Sequence, residues 1–268
     1  MNINDLVITS VETITVFDYA TEDYAFTLDE LQNVNIANSE EKQDVTGKMG
    51  RKLTSLKRNK NLKVSGNNGL VSSGLLEMQT GSKFANKDTE ILWTDYLTVS
   101  SNAATTKYTA VGTTGAEIEK IYVRDKNSAV ANLALTQDST VGDGKFTYTP
   151  GSKAIAFNAG ALPDGTEIVV LYKRKIKANV LESTTQSYAG KCMMYIDVLA
   201  EGVCSDIYRV QFFVPKMEFS GDFGFDLGGN QSVHAFEANS LSGAVCGDSN
   251  TVWTYTVFGA DTDDVKGS

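Results

Sequence analysis

Histidine, cysteine and carboxylate side chains could do chemistry here, and each occurs in a pattern that argues against a reaction centre. His234, in SVHAFEANS, is the single histidine. An imidazole general base or a Ser-His-Asp triad would have to use it, and no activated serine stands beside it. The nucleophile elbow G-x-S-x-G and the phosphate loop G-x-x-x-x-G-K-[ST] are both absent. His234 therefore reads as a structural or interface residue. Cys192, Cys204 and Cys246 are odd in number, against a secreted disulfide framework. With one histidine available they make a poor zinc set, so reduced core thiols are expected. Carboxylates crowd TLDE, SEEKQD and DTDD, the residue type of a glycosidase pair. They fall in loops and the C-terminal tail, as a solvated acidic surface would. DSTVGDG and DTDD hint at calcium without matching the EF-hand spacing. No catalytic residue, metal ligand or cofactor is assigned.

The strongest charge feature is VTGKMGRKLTSLKRNKNLK, residues 45–63. It holds Lys48, Arg51, Lys52, Lys57, Arg58, Lys60 and Lys63 and no acid. The chain as a whole carries 24 basic and 33 acidic residues, a net charge of −9. Without the arm, 17 basic residues face 33 acidic ones, a balance of −16. Three readings are open. The arm binds nucleic acid, although it has no aromatic residue to stack on bases and the acidic remainder would repel DNA. It is a solvated loop. Or it docks on the acidic body of another copy, a heterologous contact that repeats into rings or filaments. The charge balance favours the third.

The elements that position these residues are mostly strands. In MEFSGDFGFDL, Met217, Phe219, Phe223, Phe225 and Leu227 share one face, and Glu218, Ser220, Asp222, Gly224 and Asp226 the other. That is one long strand with an apolar and an acidic side. IYRVQFFV, TVWTYTVFG, CMMYIDVLA and EIVVLYKRKIKANV read as further strands, with Pro215 marking a bend or edge. One helix is expected in NNGLVSSGLLEMQTGS, capped by Asn67 or Asn68, burying Leu70, Val71, Leu75 and Met78, and ended by Gly81. Short strands with turn signals, KIYVRDKN, KFTYTP, KAIAFNAG and GTEIVVLYK, suggest a small β-sandwich inserted at 93–173 between parts 1–92 and 174–268 that pair with each other. There is no apolar run long enough for a transmembrane span and no secretory leader pattern at MNINDLVITS, so cytoplasmic synthesis is expected.

Two stretches resemble the major tail tube proteins of tailed bacteriophages. FTLDELQNVNIANSEEKQDVTGKMGRKLTSLKRNKNLKVSGNNGLVSSGLLEMQTGS follows that family's order of strand, DVTG-like turn, long charged loop, strand and short helix. YRVQFFVPKMEFSGDFGFDLGGNQSVHAFEANSL is similar to its closing hairpin, with PK before a long alternating strand and H-x-F-x-x-x-x-L after the turn. The inserted GKFTYTPGSKAIAFNAGALPDGTEIVVLYK resembles small Ig-like β modules of virion proteins.

The resemblance implies a mainly β fold: a tail-tube-like β-barrel or sandwich of antiparallel sheets with one short flanking helix and an inserted Ig-like module. It implies a non-enzymatic virion protein, made in the host bacterial cytoplasm, whose copies form hexameric rings stacked into a tube. DNA would pass through without specific binding. Sheath (in a contractile tail), terminator and baseplate proteins would be further partners, and no membrane would be involved. The arm maps onto the family's inter-ring loop, and Glu218, Asp222 and Asp226 would face the bore or solvent. The inner tube of a bacterial contractile injection device shares these expectations. A head decoration protein or carbohydrate-binding adhesive module is the alternative, resting on Trp93, Tyr108, Tyr122 and Trp253.

Overall fold

The computed structural model describes residues 5–124, 133–203, 206–226, 233–241 and 251–259. Cys204, Cys246, Leu227 and the DTDD acids at 261–264 lie outside them. The chain divides into two compact units, one built from 1–84 and 181–268, the other from 85–180. The second unit begins eight residues earlier and ends seven later than the 93–173 span read from sequence. The two strands that enter and leave it, β5 (Ala85–Thr98) and β11 (Glu167–Val180), stay paired down to Ala85 and Val180, so the boundary falls where their ladder ends.

The fold is mainly β. In the first unit β1 (Leu6–Asp18), β2 (Tyr24–Leu28), β3 (Leu31–Thr46), β4 (Lys52–Asn68), β12 (Lys191–Gly202), β13 (Ile207–Phe219) and β15 (Val233–Ser240) form one sheet in the order β2-β1-β12-β13-β15-β4-β3. Short β14 (Phe225–Asp226) pairs with β15, and β16 (Thr254–Gly259) with β13. Every pair here is antiparallel. Alternation dictates which face is inside. On β12, Cys192, Met194, Ile196, Val198 and Ala200 are buried while Lys191 and Glu201 are exposed. On β15 the inward set is His234, Phe236, Ala238 and Ser240. With Ile14, Val16, Leu62 and Val64 these make one continuous core, each large aliphatic contributing about 2 kcal/mol relative to an exposed position.

The helix, α1 (Ser73–Thr80), closes over that core through Leu75 and Met78. Its start differs from the expected one. Ser72, not Asn67 or Asn68, caps it, its hydroxyl accepting from the Leu75 amide at 3.3 Å. Asn68 is the last residue of β4, and Leu70 and Val71 are exposed in the connection. Gly81 ends the helix with φ 65°, and a Cβ there would lie 1.9 Å from the Tyr188 carbonyl oxygen. Gly74 lets α1 approach β2, since a Cβ would meet Phe26 at 2.6 Å.

The single long strand expected over 217–227 is broken. β13 ends at Phe219, residues 220–224 turn, and β14 resumes for two residues. Ser220 still donates its amide to Glu237, but its hydroxyl accepts from the Asp222 amide, closing a local turn that competes with the ladder. Pro215 sits inside β13, where the register with β12 shifts between Met194–Val214 and Cys192–Met217. On the other side of β13, β16 pairing stops at Phe213 and β15 pairing begins at Met217. The missing proline N–H therefore falls at a bulge between two partners.

The inserted unit adds β6 (Ala103–Thr105), β7 (Ile118–Arg124), β8 (Leu133–Gln137), β9 (Lys145–Thr149) and β10 (Ala154–Phe157), in the order β5-β11-β7-β8-β9-β10-β6. It has its own core around Ile121, Phe146, Ile155, Ile168, Val170 and Tyr172.

Candidate assembly interface

The basic arm is a strand pair, where sequence suggested a loop. β3 and β4 pair antiparallel from Leu31–Asn68 out to Thr46–Lys52, with register shifts at Gln32/Asn35, Ser39/Glu41 and Val45/Thr46. β15 covers β4 only from Lys63 to Asn68. Beyond that point no third strand pairs with the ribbon among the described residues, and its residues are almost all exposed. The tip turns through a single 3₁₀ turn at Lys48–Gly50, with Met49 and Gly50 both left-handed at φ 63° and 74°. The Gly47 amide donates to the Arg51 carbonyl at 2.8 Å and closes it.

Pairing places acid beside base. The stretch SEEKQD, read as acidic surface, is the strand opposite the lysines. Glu40 reaches Lys42 at 3.2 Å and Lys57 at 3.4 Å, bridging two lysines that face each other across the ladder. Asp44 pairs with Lys52 at 2.6 Å and accepts from the Ser55 hydroxyl. The Lys42 contact is the larger of the effects holding the Glu40 carboxyl below its ordinary range, and Lys52 and then Ser55 do the same for Asp44. At the arm's base Lys63 meets Glu237 at 2.6 Å. Among the described residues, Lys48, Arg51, Arg58 and Lys60 make no ion pair. The tip also shows apolar side chains that charge counting passed over. Met49 is 96% exposed, and Val45, Leu53 and Leu56 are exposed too. Apolar positions among the charges of KMGRKLTSL were the available signal.

The acidic residues do not share one strand face. Glu218 is half-buried in β13, between Lys191 and Asn239 across the ladder. Asp222 is exposed in the turn, and Asp226 lies in β14. The sheet face turned away from the core is mixed: Thr13, Thr15, Asp197, Gln211, Glu237 and Asn239 lie on it beside an aromatic cluster of Phe17, Tyr195 and Phe213 and the exposed cations Lys191 and Arg209. Asp197 accepts from Gln211 at 2.9 Å.

The other candidates are structural. His234 is fully buried, its Nε2 2.8 Å from Gln79 Oε1, and burial lowers its pKa. Cys192 is buried and unpaired, its thiol pushed up to about 12 by burial and then by Asp18, which makes it an inert core group. Trp93 and Tyr108 meet edge to face at 5.2 Å, with the Arg174 guanidinium over both rings at 4.3 and 3.8 Å. These two aromatics are partly buried and pack against the core of the inserted unit. Trp253 packs on Phe212. Among the described residues no group of three or more His, Cys, Asp or Glu side chains is placed to hold a metal ion, and no helix is long and apolar enough to cross a membrane.

No curated protein matches the chain. A family model described as the YomU/Tube protein family matches residues 6–256, running through both halves of the first unit and the whole insertion. With that match over a mainly β fold and a projecting β-arm, the chain belongs to the YomU/Tube protein family, as a phage tube-like structural protein.

Proposed function

We propose that this chain is a tail tube subunit whose copies assemble into hexameric rings and stack into a conduit for phage DNA. The observation that carries the reading is the arm. A two-stranded ribbon presents four cations without ion pairs among the described residues, plus an apolar tip, on a chain of net charge −9. The outer half of the ribbon buries almost nothing among the described residues, and its charge suits the negative body of another copy. Contact of one surface with a different surface is heterologous and propagates. The outer face of the sheet, where Asp197 and Glu237 stand among Thr, Gln, Asn and aromatic residues, then serves as the bore wall, on a chain whose net charge of −9 repels phosphate. Terminator and baseplate proteins, and a sheath in a contractile tail, are the further partners this role implies.

Negative-stain microscopy of purified protein tests the reading. Rings or tubes of uniform diameter are expected. Dispersed monomers at every concentration would overturn it.

A further inference from the structure

We infer that the arm tip of one copy seats in a pocket at the far end of the next copy's sheet, the one lined by Gln79, Thr80, Ser183, Tyr188, Glu218 and Phe223. The inference rests on the tube reading and names the receiving site. The pocket has a volume of about 320 Å³. Three segments of the first unit make it: the end of α1, the connection before β12, and the turn after β13. Its rim is partly aromatic, with Tyr188 80% exposed and Phe223 half-buried. It is also acidic, since Glu218 and the neighbouring exposed Asp222 make no ion pair among the described residues.

Sheet register decides which copy fills it. Lys63, Asn239, Glu218 and Lys191 lie on one row across β4, β15, β13 and β12. From that row the arm runs in one direction, from Lys63 to Lys52 and the tip, ~35 Å at the rise of an extended strand. The pocket lies on the other side of the row, where β13 gives way to residues 220–224 and Gln79 donates to the Ala235 carbonyl. A chain therefore carries its own tip away from its own pocket, and the occupant is a second copy. The tip matches the pocket chemically. Met49 can enter between Tyr188 and Phe223, a thioether against aromatic rings. Lys48 and Arg51, on either side of it, then face Glu218 and Asp222. Because donor and acceptor sit at opposite ends of one sheet, each copy receives one tip and offers one, and the contact repeats without closing on a pair. In this arrangement Glu218 and Asp222 serve the inter-copy joint.

Cysteines placed at Met49 and Ser183 test the joint, since both positions are exposed. Oxidising tubes of the M49C/S183C variant should give a covalent ladder of dimers, trimers and higher species, with neither single variant doing so. Tubes without a ladder would overturn the pocket assignment and leave the tube reading standing. A product that stops at dimers would overturn the head-to-tail geometry. A wild-type protein that never assembles would overturn the tube reading and this inference with it. A charge swap gives an independent readout. Lys48→Glu with Arg51→Glu should slow assembly at low salt about tenfold or more, and adding Glu218→Lys with Asp222→Lys in the same chain should restore most of the rate. No restoration would contradict the pairing.

Discussion

The single histidine is held where a proton is hardest to accept. His234 is buried beneath Phe223 and Phe225, with ring centroids at 5.9 and 4.8 Å, and spends Nε2 on Gln79 while Nδ1 has no partner among the described residues. Its folded pKa lies below the ordinary 6.5 because burial penalises the charged ring. Both states are neutral at higher pH, so the full stability is present there. As pH falls through 6.5 the unfolded chain takes up a proton that the folded chain resists, and stability declines until the lowered folded pKa is reached. Denaturant midpoints between pH 7 and 5 should fall for the wild type and flatten for His234→Gln. Asp95 is a second buried polar hub. It accepts from the Trp93 indole, the Lys107 amide and the Tyr172 hydroxyl at 2.7–2.9 Å. Asp95→Ala strands three donors and should cost about 3 kcal/mol in equilibrium unfolding. Burial and then Asp95 raise the Tyr172 pKa, so that hydroxyl stays a donor at every working pH. The structural role of His234 was legible because one histidine without partners has few uses. Asp95 was not, because its donors come from β5, β11 and a loop that only the folded sheet brings together.

At the scale of elements, the alternation of β12 and β13 was legible because one face of each strand is buried and the period is enforced. The arm was misread for the opposite reason. Its outer half buries nothing, so β3 shows acids and β4 shows bases without a hydrophobic period, and only cross-strand pairing makes them strands. The break at 220–224 was hidden because its alternation is intact while Ser220 and Gly221 favour a turn. The exposed arm allows a clean separation of folding from assembly. Reversing charge at Lys57, Arg58 and Lys60 should change stability by no more than about 1 kcal/mol, since such surface sites usually count for little. It should also slow assembly and alter its salt dependence. Unfolding curves and light-scattering traces of the same samples check the two halves; unchanged scattering kinetics would remove the arm's electrostatic role. Gly81→Ala should do the reverse. It introduces a Cβ into a left-handed position 1.9 Å from a carbonyl oxygen, costing about 2–4 kcal/mol with no direct effect on the arm.

At the scale of the whole molecule, the two units each own a core, and among the described residues 85–180 contributes none of those that pack the first. An excised 85–180 fragment should therefore fold by itself, showing one cooperative thermal transition and dispersed amide resonances. The short strands β7, β9 and β10 were legible from their turn signals, while the ends of 85–180 lay within strands too long and polar to signal a boundary. The broader claim is that copies of this chain are its principal partner. Sedimentation velocity over a hundredfold range of concentration measures that most directly. Species at integral multiples of the 29.0 kDa chain are expected, growing to rings and stacks, with the Lys57, Arg58 and Lys60 reversal shifted toward the small end. A single monomer boundary at every concentration, the same for wild type and variant, would contradict it.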